Sequence, residues 1–200
     1  MAQLLDQHVH SVTVASDGSR TADAPVRGAL LSGSFNPLHA GHERLLDAAE
    51  RFTELPGAFE LPVFNADKPP LSYAEIERRL AQFRRPYTVI LSRTPLFVQK
   101  AALFPSCIFV VGYDTAVRLV NPRYYGGATE RDQALTNIRA HDCRFLVAGR
   151  IQNGVFQTLA AAHIPPAFAD LFVELPESVF RVDYPQQNFA NARNDDTETV

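Results

Sequence analysis

Short apolar runs alternate with amphipathic stretches along most of the chain. Continuous apolar runs are typical of strands buried on both faces, whereas apolar stripes repeating every three to four residues indicate helices. Their alternation predicts an α/β fold, an open parallel sheet with helices on both faces. The predicted strands are 26–31, 59–64, 87–91, 107–111 and 143–148, and the predicted helices are 40–52, 72–83, 94–104, one near Thr115, and 131–140.

Two of these helices carry start signals. Ser72 is predicted to cap the helix 72–83, because Glu75 stands three residues later, as in a capping box. Thr94 is predicted to cap the helix that ends near Phe104.

The ends of the chain are less regular than its middle. Residues 1–25 are predicted to be an N-terminal extension, in which 8–14 could add one edge strand and Asp17-Gly18 marks a turn. Periodicity is lost after Pro176, and the polar residues 191–200 are predicted to form a disordered tail. The expected organisation is therefore one domain over 26–190 with a short appendage at each end.

Composition places the chain among ordinary globular proteins. It has 200 residues, 46% of them hydrophobic, and a net charge of −3. This balance favours neither nucleic acid nor a membrane surface as the main partner. The absence of a signal-peptide pattern and of a membrane-length apolar run leads us to expect a cytoplasmic protein. Cys107 and Cys143 lie in predicted strands without metal-ligand spacing, so we expect two buried thiols and no metal bound directly by side chains.

The segment from Leu31 to Leu46, LSGSFNPLHAGHERLL, joins the first strong strand to a helix. Ligands of open α/β sheets bind at such strand ends, where free N–H groups and the positive end of the helix dipole attract phosphate. Gly33 would permit close approach of the backbone, and Gly41 would leave room for a base or a phosphate. His39 and His42, three residues apart, would share one face of the first helical turn and stabilise charge on a phosphorus centre.

GSFNPLHAGH resembles the signature of the HxGH nucleotidyltransferases, a superfamily with a Rossmann-like fold. Within that superfamily it is most similar to the nicotinamide and nicotinate mononucleotide adenylyltransferases. The resemblance implies catalytic roles for His39 and His42. It also implies nucleotide contacts from Gly33, Ser34, Phe35 and Gly41.

Three later segments extend the resemblance as far as Arg150. VVGYDTAVR is similar to the family's G-x-D segment and implies acceptor binding by Gly112 and Asp114, although Asp114 could instead cap the following helix. FLVAGR resembles a late strand of the family that ends in an Arg near the acceptor, which implies the same role for Arg150. Lys68, in NADKPPLSY, could contact the triphosphate or the acceptor phosphate, or stand exposed in a loop.

The family's closing SSTxxR segment, which binds the β- and γ-phosphates, is missing from this sequence. Ser178 to Arg181 keeps only the S-x-x-R spacing, and PQQN at 185–188 stands where the family motif would be. Because cationic groups on the phosphates contribute much of the rate in such reactions, another basic residue such as Arg123 or Arg150 would have to substitute.

The resemblance implies transfer of AMP from ATP to a mononucleotide acceptor, nicotinamide mononucleotide first, giving NAD and pyrophosphate. Mg²⁺ would be bound through the nucleotide phosphates. The alternatives are a degenerate member that only binds nucleotides, a nucleoside triphosphatase, and a cytidylyltransferase. A redox Rossmann enzyme is disfavoured because no GxGxxG follows the first strand. The sequence leaves the oligomeric state open, including a homo-oligomer.

Overall fold

The computed structural model describes residues 1–64, 69–84, 87–152 and 154–181. Within these ranges, helices and strands alternate along most of the chain. The helices are α1 Ala2–Leu5, α2 Ala40–Thr53, α3 Tyr73–Leu80, α4 Phe97–Leu103, α5 Tyr113–Val120 and α6 Ala128–Ala140. The strands are β1 Ser11–Val14, β2 Arg20–Ala22, β3 Ala29–Ser32, β4 Gly57–Pro62, β5 Thr88–Ser92, β6 Ile108–Gly112, β7 Arg144–Ala148, β8 Arg150–Gln152, β9 Val155–Gln157 and β10 Phe172–Leu175.

Eight strands form one mixed sheet in the order β10-β7-β6-β3-β4-β5-β1-β2, and β8 and β9 form a separate hairpin. From β10 to β5 every neighbouring pair is parallel. Counted along the chain from β3, these six strands follow the order 3-2-1-4-5-6 of a doubly wound sheet. The fold is therefore α/β and consistent with a Rossmann-like architecture.

The expectation of a wholly parallel sheet is wrong at one edge. There β1 lies antiparallel to β5, and β2 lies antiparallel to β1. A short turn joins β1 to β2, and strands joined in this way must run in opposite directions. The predicted Asp17-Gly18 turn is confirmed, and Gly18 has the positive φ of +84° that glycine adopts readily.

Helices cover both faces of the sheet, as predicted. Successive residues of a strand point to opposite faces, so Leu30 and Leu31 of β3 enter two different cores. The first core packs against α4, α5 and α6, and the second packs against α1, α2 and α3. Cys107 and Cys143 belong to the first core as fully buried free thiols, which confirms the expectation from their apolar surroundings.

The N-terminal extension is part of the sheet. It contributes α1 and two strands where one was expected, and β2 is the outermost of them. Leu4 and Val12 anchor the extension because both side chains are buried in the second core. The predicted tail at 191–200 lies outside the described residues.

The two predicted helix starts have different outcomes. Ser72 is confirmed as the cap of α3, since its Oγ accepts a hydrogen bond from the Glu75 N–H at 3.2 Å. Thr94 is not the cap of α4, which begins after Leu96. The Thr94 hydroxyl instead donates to the Ser92 Oγ at 3.0 Å, at the end of β5.

A buried ion pair joins the carboxyl ends of three parallel strands to α4. Lys100 Nζ lies 2.9 and 2.8 Å from the two carboxylate oxygens of Glu60, and the two residues are 2% and 0% exposed. The hydroxyls of Ser32 and Ser92 donate to the same carboxylate. Glu60 therefore has a hydrogen-bond partner on β3, on β5 and on α4. A buried carboxylate requires such partners, because its charge is otherwise costly to remove from water.

We expect Lys100→Met to lower the free energy of unfolding by about 3–5 kcal/mol, because it leaves the Glu60 carboxylate buried without its cation. The double variant Glu60→Gln/Lys100→Met should be less destabilised, since the uncharged amide can accept from one serine hydroxyl through its oxygen and donate to the other through its NH2 group. Chemical denaturation of both variants measures the difference. If the double variant is no more stable than Lys100→Met, the unpaired Glu60 carboxylate is not the cause of the destabilisation.

Candidate functional site

The strand order creates a crevice between β3 and β6. The chain leaves β3 through α2 on one face of the sheet and leaves β6 through α5 on the other, since α2 and α5 belong to different cores. The two strands are neighbours, with Leu31 paired to Val110 two residues before the chain reaches Gly33 and Gly112. Such a divergence is where doubly wound sheets bind ligands. The predicted nucleotide and acceptor segments therefore leave the sheet side by side.

The turn after β3 is fixed from inside by Phe35. Its ring is 2% exposed and packs edge-on against Phe59 and His42, with centroids 5.1 and 5.2 Å apart. The backbone of Phe35 has a φ of +46°. A Cβ on Gly33 would lie 2.9 Å from this ring, so the packing of Phe35 by itself requires glycine at position 33. Phe35 can contact a nucleotide through its backbone, while its side chain belongs to the core.

His39 and His42 lie together at the N-terminus of α2. Their rings stack with centroids 3.6 Å apart and planes inclined by 20°. His39 caps the helix, and its Nδ1 accepts from the N–H of Gly41 at 3.2 Å. His42 Nδ1 accepts from the N–H of His39 at 3.3 Å. The expectation that both imidazoles share one face of the first turn is confirmed.

These bonds determine which ring nitrogen carries the proton. A nitrogen that accepts from a backbone N–H cannot itself be protonated, so each neutral ring carries its proton on Nε2. Burial, together with the neighbouring His39, lowers the pKa of His42 from 6.5 to about 4. At neutral pH the His42 imidazole is therefore uncharged and has an Nε2–H donor that the helix cap does not use.

The predicted acceptor residues come together at the ends of β6 and β7. Gly112 caps α5, which rules out Asp114 as its cap and places it in the first turn. Arg150, at the start of β8, forms an ion pair with Asp114. Both side chains are about half exposed, at 55% and 42%, so the pair can open toward a ligand at low energetic cost.

The remaining basic candidates have other partners in the structure or lie outside the described residues. Lys68 and the stretch 185–188 belong to the parts of the chain that the structure does not describe. Arg181 forms an ion pair with Glu177 and lies over the Phe156 ring. Arg123 lies over the ring of its neighbour Tyr124, 4.7 Å from the centroid.

The described residues contain no group of three or more His, Cys, Asp or Glu side chains arranged to hold a metal ion. At the crevice, the only carboxylate among the predicted residues is Asp114, which Arg150 neutralises. A divalent cation would therefore have to be bound mainly by a ligand's own oxygens.

Several polar residues behind the crevice were not predicted from the sequence. Glu60 and Lys100 support the end of β3, and Arg79 and Gln82 hydrogen-bond to the turn that follows it. Two signals were present: a glutamate inside an apolar strand, and a lysine in a chain that has only two, both unusual where burial is expected.

Comparisons with known proteins leave the family open. Neither the protein-family models nor the curated proteins include a match to this chain. Within the described residues, no helix combines the length and apolar character that crossing a bilayer requires.

The pKa of His42 predicts a pH-dependent stability. The unfolded chain takes up this proton near pH 6.5 and the folded chain only near pH 4. Stability is therefore fully present above pH 6.5 and decreases as the pH falls from 6.5 to 4. We expect the free energy of unfolding to fall less steeply over this range in His42→Asn than in the wild type. Chemical denaturation of both proteins at about pH 6.5 and pH 5, where most carboxyl groups stay ionised, measures this difference. An equal decrease in the free energy of unfolding in the two proteins would contradict the prediction.

Proposed function

We propose that this chain is a nucleotidyltransferase of the HxGH class, which transfers AMP from ATP to a mononucleotide acceptor. Nicotinamide mononucleotide is the acceptor to test first, and the products would be NAD and pyrophosphate. The observation that supports the proposal best is the stacked pair His39–His42 at a helix N-terminus, beside the crevice between β3 and β6.

The geometry suits charge stabilisation at a phosphate. Both imidazoles have Nδ1 engaged in the cap, so each can donate only from Nε2, and α2 directs its positive dipole end to the same place. In the proposed reaction, the acceptor phosphate attacks the α-phosphorus of ATP. The new O–P bond forms as the bond to pyrophosphate breaks. The His39 and His42 donors then stabilise the negative charge that develops on the phosphoryl oxygens.

The acceptor would lie across the crevice, against Gly112, Asp114 and Arg150. The Asp114 carboxylate can accept hydrogen bonds from ribose hydroxyls, and the Arg150 guanidinium can pair with the acceptor phosphate. Arg150 would exchange the Asp114 carboxylate for another anion, the phosphate, and Asp114 would exchange the guanidinium for neutral hydroxyl donors. Side chains that follow β6 and β7 would thereby position the nucleophile next to the helix that holds ATP.

Mg²⁺ fits this scheme as an ion carried by the triphosphate. It prefers oxygen ligands and keeps few protein contacts, which agrees with the fact that Asp114, the carboxylate among the predicted site residues described, is already paired with Arg150. When bound, the cation would reduce the charge of the phosphates and so assist departure of pyrophosphate.

The alternatives have a specific basis. Without a closing SSTxxR segment, the chain depends on other cations to hold the β- and γ-phosphates, and Arg181 already has Glu177 as a partner. A protein that binds ATP without transferring it, or one that lets water replace the acceptor, would follow if no other cation takes this part. A cytidylyltransferase would differ in the base that is bound.

We expect His42→Asn to reduce the rate of NAD formation by about 100-fold or more, because it removes the Nε2–H donor. The asparagine Oδ1 can still accept from the His39 N–H, so the cap of α2 is preserved. The assay supplies ATP, Mg²⁺ and nicotinamide mononucleotide and follows both NAD and pyrophosphate.

His8→Ala is the matched control, since His8 is exposed in the N-terminal segment far along the chain from the crevice. Full activity in His42→Asn would remove the proposal. Release of ADP or AMP without NAD in the wild type would favour the triphosphatase, and ATP binding without turnover would favour the degenerate binder.

Gly112 provides a second test. A Cβ there would have no heavy atom within 4 Å, and its φ of −80° suits any residue, so the fold does not require glycine at this position. We expect Gly112→Ala to lower the melting temperature only slightly, since alanine is a poorer N-cap than glycine, while raising the KM for the acceptor about tenfold, because the methyl group occupies acceptor space. The KM for ATP is the internal reference. An unchanged KM for the acceptor would place it elsewhere.

A further inference from the structure

The end of α3 holds the turn after β3 by its backbone. Arg79 Nη1 donates to the carbonyl oxygen of Ser34 at 2.7 Å, and Gln82 Nε2 donates to that of Phe35 at 3.0 Å. Gln82 also accepts from the N–H of Leu38 at 3.0 Å through its Oε1. Two consecutive carbonyls of the turn are thus fixed by side chains that lie more than forty residues later.

Fixing a carbonyl also orients the next amide. In a trans peptide the C=O and the following N–H point in opposite directions. The N–H groups of Phe35 and Asn36 must therefore point away from Arg79 and Gln82. Neither N–H has a hydrogen-bond acceptor among the residues that the structure describes. Consecutive free amides around a residue with positive φ form a concavity that binds anions.

We propose that Arg79 and Gln82 are positioning residues, which hold the amides of Phe35 and Asn36 ready for the phosphates of the nucleotide. This inference rests on the proposed function, because it takes the phosphates to be those of ATP. Neither side chain needs to touch the nucleotide. Their effect would reach it through the Ser34 and Phe35 carbonyls alone.

The burial of Arg79 supports this role over a general surface contact. Arg79 is 8% exposed, and its Nε donates to Glu75 at 2.7 Å, which fixes the direction of the guanidinium. Glu75 is independently bound by Arg78 at 2.7 Å. Removing the guanidinium of Arg79 would therefore leave Glu75 paired, so Arg79→Met is compatible with a folded chain.

Two variants break the two backbone contacts separately. Arg79→Met removes the donor to Ser34. Gln82→Glu removes the donor to Phe35 and keeps an oxygen that can accept from Leu38. Arg84→Met is the matched control, because Arg84 is exposed just beyond the same helix.

The test compares the affinities for ATP, with Mg²⁺, and for adenosine, measured by titration calorimetry on the full chain. Adenosine has no phosphate, so it reports on general distortion of the site. We expect each variant to bind ATP about tenfold more weakly, the loss of one hydrogen bond to a charged group. Adenosine binding and the melting temperature should remain close to those of the wild type, and Arg84→Met should match the wild type in all three.

The outcomes separate the inference from the proposed function. Wild-type affinity for ATP in both variants would overturn the inference alone. An equal loss of adenosine affinity would also overturn it, since the two residues would then serve only the general structure. A wild type that binds no ATP would remove the proposed function and the inference together.

Discussion

The burial of one aromatic side chain determines the shape of the candidate site. Phe35 lies within the turn that carries the candidate chemistry, yet its ring is in the core, edge-on to Phe59 and His42. Because an interior is close-packed, the ring can occupy only one position, and the backbone on either side of it must follow. The buried ring excludes a side chain at Gly33, and through its contact with His42 it also fixes the start of α2. The backbone of this surface turn is therefore held as firmly in position as the core residues against which Phe35 packs.

The site combines low charge with many oriented donors. His42 is neutral at physiological pH, and Asp114 and Arg150 neutralise each other. In the proposed function, a phosphate would be attracted by fixed dipoles, namely imidazole N–H groups, backbone amides and a helix terminus. Fixed dipoles need no reorganisation when charge develops, which is why preorganised sites of this kind suit phosphoryl and nucleotidyl chemistry.

The sequence predicted the framework better than the supporting contacts. Apolar runs located β3 to β7 to within a few residues, since strands buried on both faces leave a strong signal. The short strand β10 and the hairpin of β8 and β9 were missed, because three or four residues with mixed exposure show no clear period. The motif likewise predicted that His39 and His42 would share a face of α2. It could not show that Arg79 and Gln82 reach the same turn, since those hydrogen bonds join residues far apart in the chain.

The hairpin of β1 and β2 affects whether this edge of the sheet can pair with a strand of another chain. Without this hairpin, β5 would be the edge strand, and its unpaired N–H and C=O groups could pair with a strand of another chain. With it, the sheet ends in β2, which is three residues long, wholly exposed, and tied by Arg20 to Glu77 at 3.0 Å. A strand so short and polar offers little to a neighbouring chain. The N-terminal extension, which the sequence predicted to be an appendage, thus reduces the tendency of this edge to aggregate.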